Sequence, residues 1–400
     1  MSLDGLLTML EAAAVQLLGG GLNRMVGVLA RYNIPDPITG GIVFALLAAA
    51  VATATGVSIA FDATLKPYLL LMFFAAVGLT ADMHALVRGG RAPVLFLAVL
   101  VPFIFVQNLT GLVGAWPLDL HPLFGLIVGS ITLVGGHGTG AAYAERFAEV
   151  NNIQGVMALT MTSATIGLVI GGVVGGPVAQ LLIRRYRLAG EAAGETRADE
   201  PAPTATHEMP IDVSSFVLSL SAVLLAVAIG RTLAAWLGEG AITLPSFVWC
   251  LLVGVVLRNG VAPLVRAPLS DRASELIGSI CLSLFLALTM MALDLLQVVQ
   301  LGGPLVVILL MQIAVAVAYV WVAVFPVMGR DYEAAVTSAA FIGFMMGATA
   351  TAIANMQALT KRYGPAPQAF LVVPLSGAFF IDIANAVALT AFLLLPMLGG

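Results

Sequence analysis

The stretch GSITLVGGHGTGAA, residues 129–142, decides how the rest of this sequence is interpreted. It contains five glycines between Gly129 and Gly140, although the segment around it is apolar enough to cross a membrane. Glycine is less favourable than alanine inside a helix by about 1 kcal/mol. Non-helical backbone at membrane depth is tolerated only where protein or a water-filled cavity surrounds it. The stretch therefore predicts a break between two half-helices in the protein interior.

The composition of the whole chain is that of an integral membrane protein. Of its 400 residues, 60% are hydrophobic and only 10% are charged, and the mean hydropathy is +1.05. Soluble domains carry about a quarter charged residues, so this chain cannot cover a water-facing surface. The net charge of -4 includes no basic tract for nucleic acid, and Cys250 and Cys281 have neither disulfide nor metal-site spacing. The first residues carry Asp4 and Glu11 and no basic region, so they are expected to belong to the first span rather than to a signal peptide.

Twelve apolar segments are predicted, six on each side of a polar tract. A membrane-spanning helix needs about 20 mostly apolar residues. The polar tract, residues 184–212, is rich in Pro, Ala and Glu and is predicted to be a flexible linker. It joins a first repeat, residues 1–183, to a second repeat, residues 213–400. The predicted segments are 4–29, 37–57, 65–87, 92–116, 121–148, 155–183, 213–237, 243–258, 273–300, 303–328, 332–360 and 366–397.

The positions of Lys and Arg predict the orientation of these segments, because cytoplasmic loops carry an excess of both. The basic clusters fall on one side only if the fifth segment of each half, 121–148 and 332–360, enters and leaves by the same face. Each half then crosses five times, which inverts the second repeat, places the linker in the cytoplasm and leaves both termini outside. The predicted fold is an all-α polytopic membrane protein with two inverted repeats, each of five spans plus one re-entrant segment. Transporters with such repeats bind their substrate at the repeat interface.

The fifth segment of the second half contains a matching stretch, FIGFMMGATATAIANMQ, residues 341–357. Amides at the N-terminus of a half-helix attract carboxylates, and free carbonyls coordinate cations. The two stretches are therefore predicted to form one site for an anion and a cation. The alternative is close helix packing through small residues, which is common in membranes.

Four stretches of the chain resemble the bacterial sodium/glutamate symporter family, and the resemblance extends over nearly the whole length. It implies sodium-coupled uptake of L-glutamate by a protein of the bacterial inner membrane, and kinship with citrate-type sodium symporters. Those proteins are homodimers that carry substrate by an elevator movement of a transport domain against a fixed scaffold. One departure is Ala350, which stands where the family usually has proline. The four stretches are residues 32–41, 129–142, 348–358 and 372–386.

His137 lies between two glycines at the centre of the first stretch. It is predicted to be a hydrogen-bond donor or a cation that faces a substrate carboxylate. The alternative is a neutral, hydrogen-bonded imidazole that only shapes the loop. Glycine amides, hydroxyls, one amide and one carboxylate complete the predicted substrate site. Its candidate residues are Gly135, Gly136, His137, Gly138, Thr139, Gly140, Thr349, Thr351, Asn355 and Asp382.

Asp382 interrupts an apolar segment, where a charged group costs at least about 2.5 kcal/mol. Since its helix carries no Lys or Arg within reach, Asp382 is predicted to coordinate sodium or to bond the substrate ammonium. The alternative is a protonated carboxyl packed against a neighbouring helix. Sodium is a hard cation that prefers oxygen ligands, although each hydroxyl could instead bond the backbone of its own helix. The candidate sodium ligands are Ser130, Thr132, Asp382 and Asn385.

Other functions remain open at this stage. A sodium/proton antiporter would use Asp382 as its titrating group, and a sodium symporter could carry another small carboxylate. An enzyme is not expected, because the sequence has no HExxH, GxGD or P-loop motif. No cofactor is expected beyond sodium as the coupling ion, and the expected partners are L-glutamate, lipid and a second copy of the chain. Asp82 and Asp294 end the third segment and its counterpart, and a role for them in coupling is left open.

Overall fold

Helices are the only regular secondary structure in the residues that the computed structural model describes. Most of the predicted linker 184–212 lies outside this part, as does Asp294, so the statements about them stay predictions. The described residues are 4–27, 29, 34–55, 61–62, 64–83, 90–150, 155–188, 212–237, 245–265, 269–292, 295–377 and 380–395.

The helices of the described residues are numbered in chain order. Four of them, α4, α5, α9 and α11, continue beyond these bounds as tighter or wider turns, to Leu118, Ile131, Val265 and Val327. The helices are α1 (Gly5–Met25), α2 (Asp36–Thr55), α3 (Lys66–Thr80), α4 (Arg91–Ala115), α5 (Pro122–Leu126), α6 (Gly136–Val150), α7 (Val156–Tyr186), α8 (Val213–Leu237), α9 (Ser246–Val256), α10 (Asp271–Met291), α11 (Leu295–Tyr319), α12 (Tyr332–Met345), α13 (Thr349–Tyr363), α14 (Pro367–Gly377) and α15 (Phe380–Leu393).

Within the described ranges, eight helices are long and apolar enough to cross a membrane, and the pair α14 and α15, bent by 46°, would be a ninth. The third predicted span, 65–87, is represented by α3 with 15 residues, and residues 84–89 lie outside the described part. The predicted end of the segment 273–300 is wrong, because α10 ends at Met291 and α11 begins at Leu295. The sequence stays apolar across this boundary, so hydropathy alone does not mark it.

The order of elements is the same in the two halves: four helices, a pair of short helices, and a last long or bent helix. The contacts repeat in the same way. Helix α1 packs on α2 as α8 packs on α9, and α2 packs on α10 as α9 packs on α3. Equivalent helices also pack on each other, α3 on α10 and α4 on α11. Reciprocal contacts of this kind are those that a two-fold axis produces.

The contacts divide the helices into two groups. The scaffold group comprises α1 to α3 and α8 to α10, and the hairpin group comprises α4 to α7 and α11 to α15. Packing is extensive within each group, whereas the principal contacts between groups are those of α6 with α10 and of α9 with α15. One aromatic pair, Tyr143 on α6 and Phe247 on α9, joins the groups with ring centroids 5.3 Å apart.

Small residues let the scaffold helices approach closely. A Cβ atom at Gly78 on α3 would lie 2.2 Å from the carbonyl oxygen of Leu251 on α9. A Cβ atom at Gly254 on α9 would lie 2.6 Å from the carbonyl oxygen of Ala75 on α3. Lipid tails are as apolar as the side chains, so van der Waals packing at such contacts contributes much of the association between membrane helices.

Gly78→Ala is expected to lower the thermal unfolding midpoint of the detergent-purified protein. The added methyl group must push α3 and α9 apart, and overpacking of this kind costs about 1–3 kcal/mol. Gly176→Ala on α7 is the matched control, because a Cβ atom there meets nothing within 4 Å. Equal unfolding midpoints for the two variants would contradict this account of the α3 and α9 contact.

Candidate functional site

The first hairpin contains the predicted break, but the break is shorter than predicted. Helix α5 leads into a wide turn, Ile127–Ile131, in which Gly129 has non-helical angles (φ -91, ψ -137). Helix α6 then begins at Gly136, whose φ of +62 favours glycine. Gly138, Thr139 and Gly140 belong to α6, so the break predicted within 129–142 lies before them.

The glycines inside α6 serve close packing, which is the alternative that the sequence left open. A Cβ atom at Gly138 would lie 2.8 Å from the ring of Phe73, and one at Gly140 would lie 2.6 Å from the side chain of Thr160. Glycine clusters therefore indicated the hairpin correctly, while the extent of unwound backbone was overestimated.

The second hairpin has a turn of three residues, Met346, Gly347 and Ala348, between α12 and α13. Outside this turn the stretch 341–357 is helical. Thr349, Thr351 and Asn355 all lie in α13. Alanine, methionine and isoleucine dominate this stretch and sustain a helix, so only the residues around Gly347 leave it.

The turns of the two hairpins lie next to each other. A Cβ atom at Gly136 would be 3.9 Å from the carbonyl oxygen of Gly347. Helix α7 passes beside both turns, since a Cβ atom at its Gly167 would be 2.6 Å from the carbonyl oxygen of Met346. Asn355 Nδ2 attaches α13 to α7 and α12, donating to the carbonyl oxygens of Gly171 (2.9 Å) and Ala339 (3.2 Å).

Two helix N-termini start at these adjacent turns. The first backbone N–H groups of a helix lack intrahelical acceptors, and the macrodipole makes this end positive. Helix α13 follows Ala348, whose side chain cannot cap it, and α6 follows the turn at Gly135. Backbone groups of this kind bind carboxylates and phosphates.

His137 is attached to α7. Its Nε2 lies 3.0 Å from the Thr165 hydroxyl, and that hydroxyl donates its only proton to the carbonyl oxygen of Met161 at 2.8 Å. The imidazole Nε2 must therefore be the donor in the contact with Thr165. In a neutral ring, Nδ1 is then the atom that accepts a hydrogen bond.

Two of the predicted sodium ligands are brought together. Asn385 Nδ2 donates to the carbonyl oxygen of Ser130 at 3.1 Å, although 255 positions separate the two residues. Ser130 Oγ and Asn385 Oδ1 are buried and have no hydrogen-bond partner within the described part of the chain. Thr132 differs, because its hydroxyl donates to the carbonyl oxygen of Ile127 (2.6 Å) and contacts the hydroxyl of Ser163 (2.8 Å).

Asp382 lies in the first turn of α15, directly after the bend that follows α14. A helix N-terminus stabilises a carboxylate, and Asn385 is one turn further along the same face. Among the described residues, no hydrogen bond or ion pair to the Asp382 carboxylate is found. The carboxylate is thus placed one helical turn from the Ser130 and Asn385 contact.

Asp82 lies apart from the hairpin turns, in the scaffold group. Its carboxylate is 3.9 Å from Arg258 Nη2. It also lines a cavity of about 440 Å³ between α3, α10 and α14, together with Asp271 and Glu275.

Three buried amide side chains at the break were missed by the sequence analysis. Asn108 Oδ1 on α4 accepts from the backbone N–H of Ser130 at 3.0 Å. Gln107 on α4 and Gln312 on α11 also contact the hairpins, and all three side chains are fully buried. A polar side chain inside an otherwise apolar span could have indicated these three residues, as it indicated Asp382.

Two hairpins with adjacent turns, together with the eight or nine apolar spans found among the described residues, define a polytopic membrane transport protein. The described residues hold no group of three His, Cys, Asp or Glu side chains that could bind a metal ion. The chain belongs to the sodium/glutamate symporter family, whose sequence profile matches residues 1–365.

Two relatives illustrate the extent of the similarity. The chain is 40% identical to the sodium/glutamate symporter of Haemophilus influenzae over 385 residues, which covers 96% of this chain and 95% of that protein. It is also 40% identical to the sodium/glutamate symporter of Escherichia coli K12 over an alignment of 402 positions, covering 100% and 99% of the two chains. Both hairpins therefore lie inside the region of similarity.

The contact between His137 and Thr165 gives a testable expectation. Thr165→Val and His137→Ala should each lower the stability of the purified protein by about 1 kcal/mol, because each removes the same hydrogen bond. The double variant should lose little more than either single variant in a double-mutant cycle of thermal unfolding. Thr162→Val is the control, since its hydroxyl bonds only the Ala158 carbonyl of its own helix. Fully additive losses would argue against the contact.

Proposed function

We propose that this chain is a symporter that couples the entry of sodium to the uptake of L-glutamate across the bacterial inner membrane. The observation that carries the proposal is membership of the sodium/glutamate symporter family over essentially the whole chain, including both hairpins. The sodium gradient supplies the energy.

Glutamate would bind where the hairpin turns meet. The turn stretches 129–140 and 343–355 contain no Lys or Arg, so another source of positive potential must bind the two carboxylates. The N-termini of α6 and α13 provide it through their unpaired N–H groups. The substrate ammonium would donate to Nδ1 of His137 and approach Asp382. The sequence predicted that His137 donates a hydrogen bond to a substrate carboxylate. In this proposal its Nδ1 instead accepts a hydrogen bond from the substrate ammonium.

Sodium would bind beside the break at Gly129, near Ser130 and Asn385, with the negative charge of Asp382 one turn away. Neutral oxygens and one carboxylate suit a hard cation. Sodium would bind first and order the 128–130 backbone, and glutamate would then bridge the two turns. With sodium and glutamate bound, the site carries less uncompensated charge, so the free-energy cost of moving it through the membrane is lower.

The movement would be an elevator motion of the hairpin group against the scaffold group in each subunit of a homodimer. The limited contact between the groups supports this, as do the reciprocal contacts of equivalent helices, which favour inverted repeats. The distribution of Lys and Arg favours a cytoplasmic linker and termini on the outer side.

Uptake into vesicles tests the proposed activity. Purified protein in proteoliposomes is expected to accumulate radiolabelled L-glutamate above its external concentration only under an inward sodium gradient. Choline in place of sodium should abolish the accumulation. A competition series with aspartate, citrate and other small carboxylates would identify the preferred substrate.

Two results would contradict the proposal. Accumulation that persists without any sodium gradient would exclude sodium coupling. Sodium-driven proton flux without glutamate, followed with a pH-sensitive dye inside the vesicles, would favour the sodium/proton antiporter. If glutamate failed to compete with another carboxylate, only the identity of the proposed substrate would have to change.

One ion pair bridges the two helix groups. Lys66 Nζ at the start of α3 lies 2.7 Å from Glu145 Oε1 on α6, and both side chains are partly buried. An elevator motion must break this contact.

The acidic cavity lined by Asp82 lies beside the basic residues of α9 and α10, so it would face the cytoplasm. The ion pair would therefore close the outer side of an inward-facing arrangement.

Glu145→Gln is expected to lower the apparent KM for external glutamate by up to about fivefold. A partly exposed ion pair is worth up to about 1 kcal/mol, and its loss raises the outward-facing fraction by the corresponding factor. The exchanged pair Lys66→Glu with Glu145→Lys should restore the KM. Arg231→Gln is the control, because Arg231 stacks on Tyr68 inside the scaffold group. An unchanged KM in Glu145→Gln would show that the pair does not restrain the movement.

A further inference from the structure

Two glutamines lie in the middle of equivalent helices of the two halves. Gln107 on α4 and Gln312 on α11 are fully buried, and α4 packs on α11. A buried amide loses its hydration, so both its nitrogen and its oxygen need partners inside the protein. At both glutamines the amide nitrogen has a hydrogen-bond partner and the amide oxygen has none.

Each amide nitrogen has a partner, and each bonds the hairpin of the opposite half. Gln107 Nε2 donates to the carbonyl oxygen of Met345 at the end of α12, at 2.8 Å. Gln312 Nε2 donates to the carbonyl oxygens of Gln107 (2.8 Å) and Val128 (3.3 Å). Because the acceptors are carbonyl groups, rotating either amide by 180° would place two oxygens against each other. The orientation of both amides is therefore determined.

The oxygen atoms have no such partners. Within the described residues, Gln107 Oε1 and Gln312 Oε1 are buried without a hydrogen bond, as are Ser130 Oγ and Asn385 Oδ1. Asn385 is also oriented by its nitrogen, which donates to the carbonyl oxygen of Ser130. All four residues are joined by hydrogen bonds to the break at 128–130 or to one another. One unpaired donor, Asn108 Nδ2, accompanies these four acceptors.

Native proteins rarely leave buried acceptors unpaired, and several on residues attached to one backbone break point to a bound ion or water. Four neutral oxygens match the ligand preference of a small hard cation. Asp382, one turn from Asn385, would supply the balancing charge. Water is the alternative occupant, since it could donate to two of the four acceptors.

We propose that the side-chain oxygens of Gln107, Gln312, Ser130 and Asn385 form a sodium site that spans the two halves. The inference rests on the proposed function, and it adds two ligands from α4 and α11. The same two amides hold the carbonyl groups of Val128 and Met345. An ion bound to their oxygens would therefore fix both hairpins at once, which links sodium binding to the geometry of the glutamate site.

Sodium-dependent thermal stability of the purified, glutamate-free protein tests this site. In wild type, sodium chloride is expected to raise the unfolding temperature relative to choline chloride at equal ionic strength. Gln107→Met and Gln312→Met keep the side-chain volume but remove the amide oxygen together with the nitrogen that bonds the hairpin, so the readout is the sodium midpoint and not the stability itself. Each should raise the sodium concentration of half-maximal stabilisation at least tenfold. Gln16→Met on α1 is the control, because Gln16 has a buried, unpaired Oε1 far from the hairpins and should leave the midpoint unchanged.

Gln312→Glu tests the site independently, in case the methionine variants fold poorly. Gln312→Glu loses the bonds to the carbonyl oxygens of Gln107 and Val128, but it keeps an oxygen and adds a charge, so it should lower the sodium midpoint if residue 312 is a ligand. A carboxylate that destabilises the protein equally in sodium and choline would overturn the assignment, as would unchanged midpoints in both methionine variants. In those cases water occupies the site, while sodium-driven glutamate uptake by wild type would leave the proposed function intact. Wild-type uptake that is independent of sodium would remove both.

Discussion

Peptide groups that leave a helix inside a membrane need hydrogen-bond partners, because no water is available there to replace them. The structure meets this constraint at the hairpin breaks with buried amide side chains. Gln312 bonds the carbonyl of Val128, Asn385 bonds that of Ser130, and Gln107 bonds that of Met345. Since each amide comes from a helix distant in sequence, the hairpins can exist only when the whole hairpin group is assembled.

The same constraint explains why the molecule divides where it does. Hydrogen bonds to broken backbone tie the two halves together inside the hairpin group, so that group is expected to behave as one body. The contact with the scaffold group consists instead of aromatic and apolar surfaces, such as Tyr143 against Phe247, and the ion pair of Lys66 and Glu145. Apolar surfaces can slide past one another without leaving polar groups unpaired, whereas a hydrogen-bond network cannot.

The sequence was a good guide to the breaks and a poor guide to their length. Glycine and hydropathy patterns act locally, so the clusters at 129–140 and 343–347 indicated both hairpins. Whether a given glycine is unwound or packed depends on its neighbour in space. Gly136 takes a positive φ in the turn, while Gly138 lies in a helix against Phe73, and the two are indistinguishable by residue type.

By itself the sequence determined that the chain is a membrane protein of apolar helices, and its glycine clusters marked the two hairpins. These properties follow from composition and local pattern, which every stretch of chain carries with it. Only the tertiary structure decided which polar groups meet. It joins Ser130 to Asn385, directs the His137 donor to Thr165, and places Gln107 and Gln312 at the breaks. Such pairings depend on how helices cross and turn, and crossing is governed by packing between residues that are far apart along the chain.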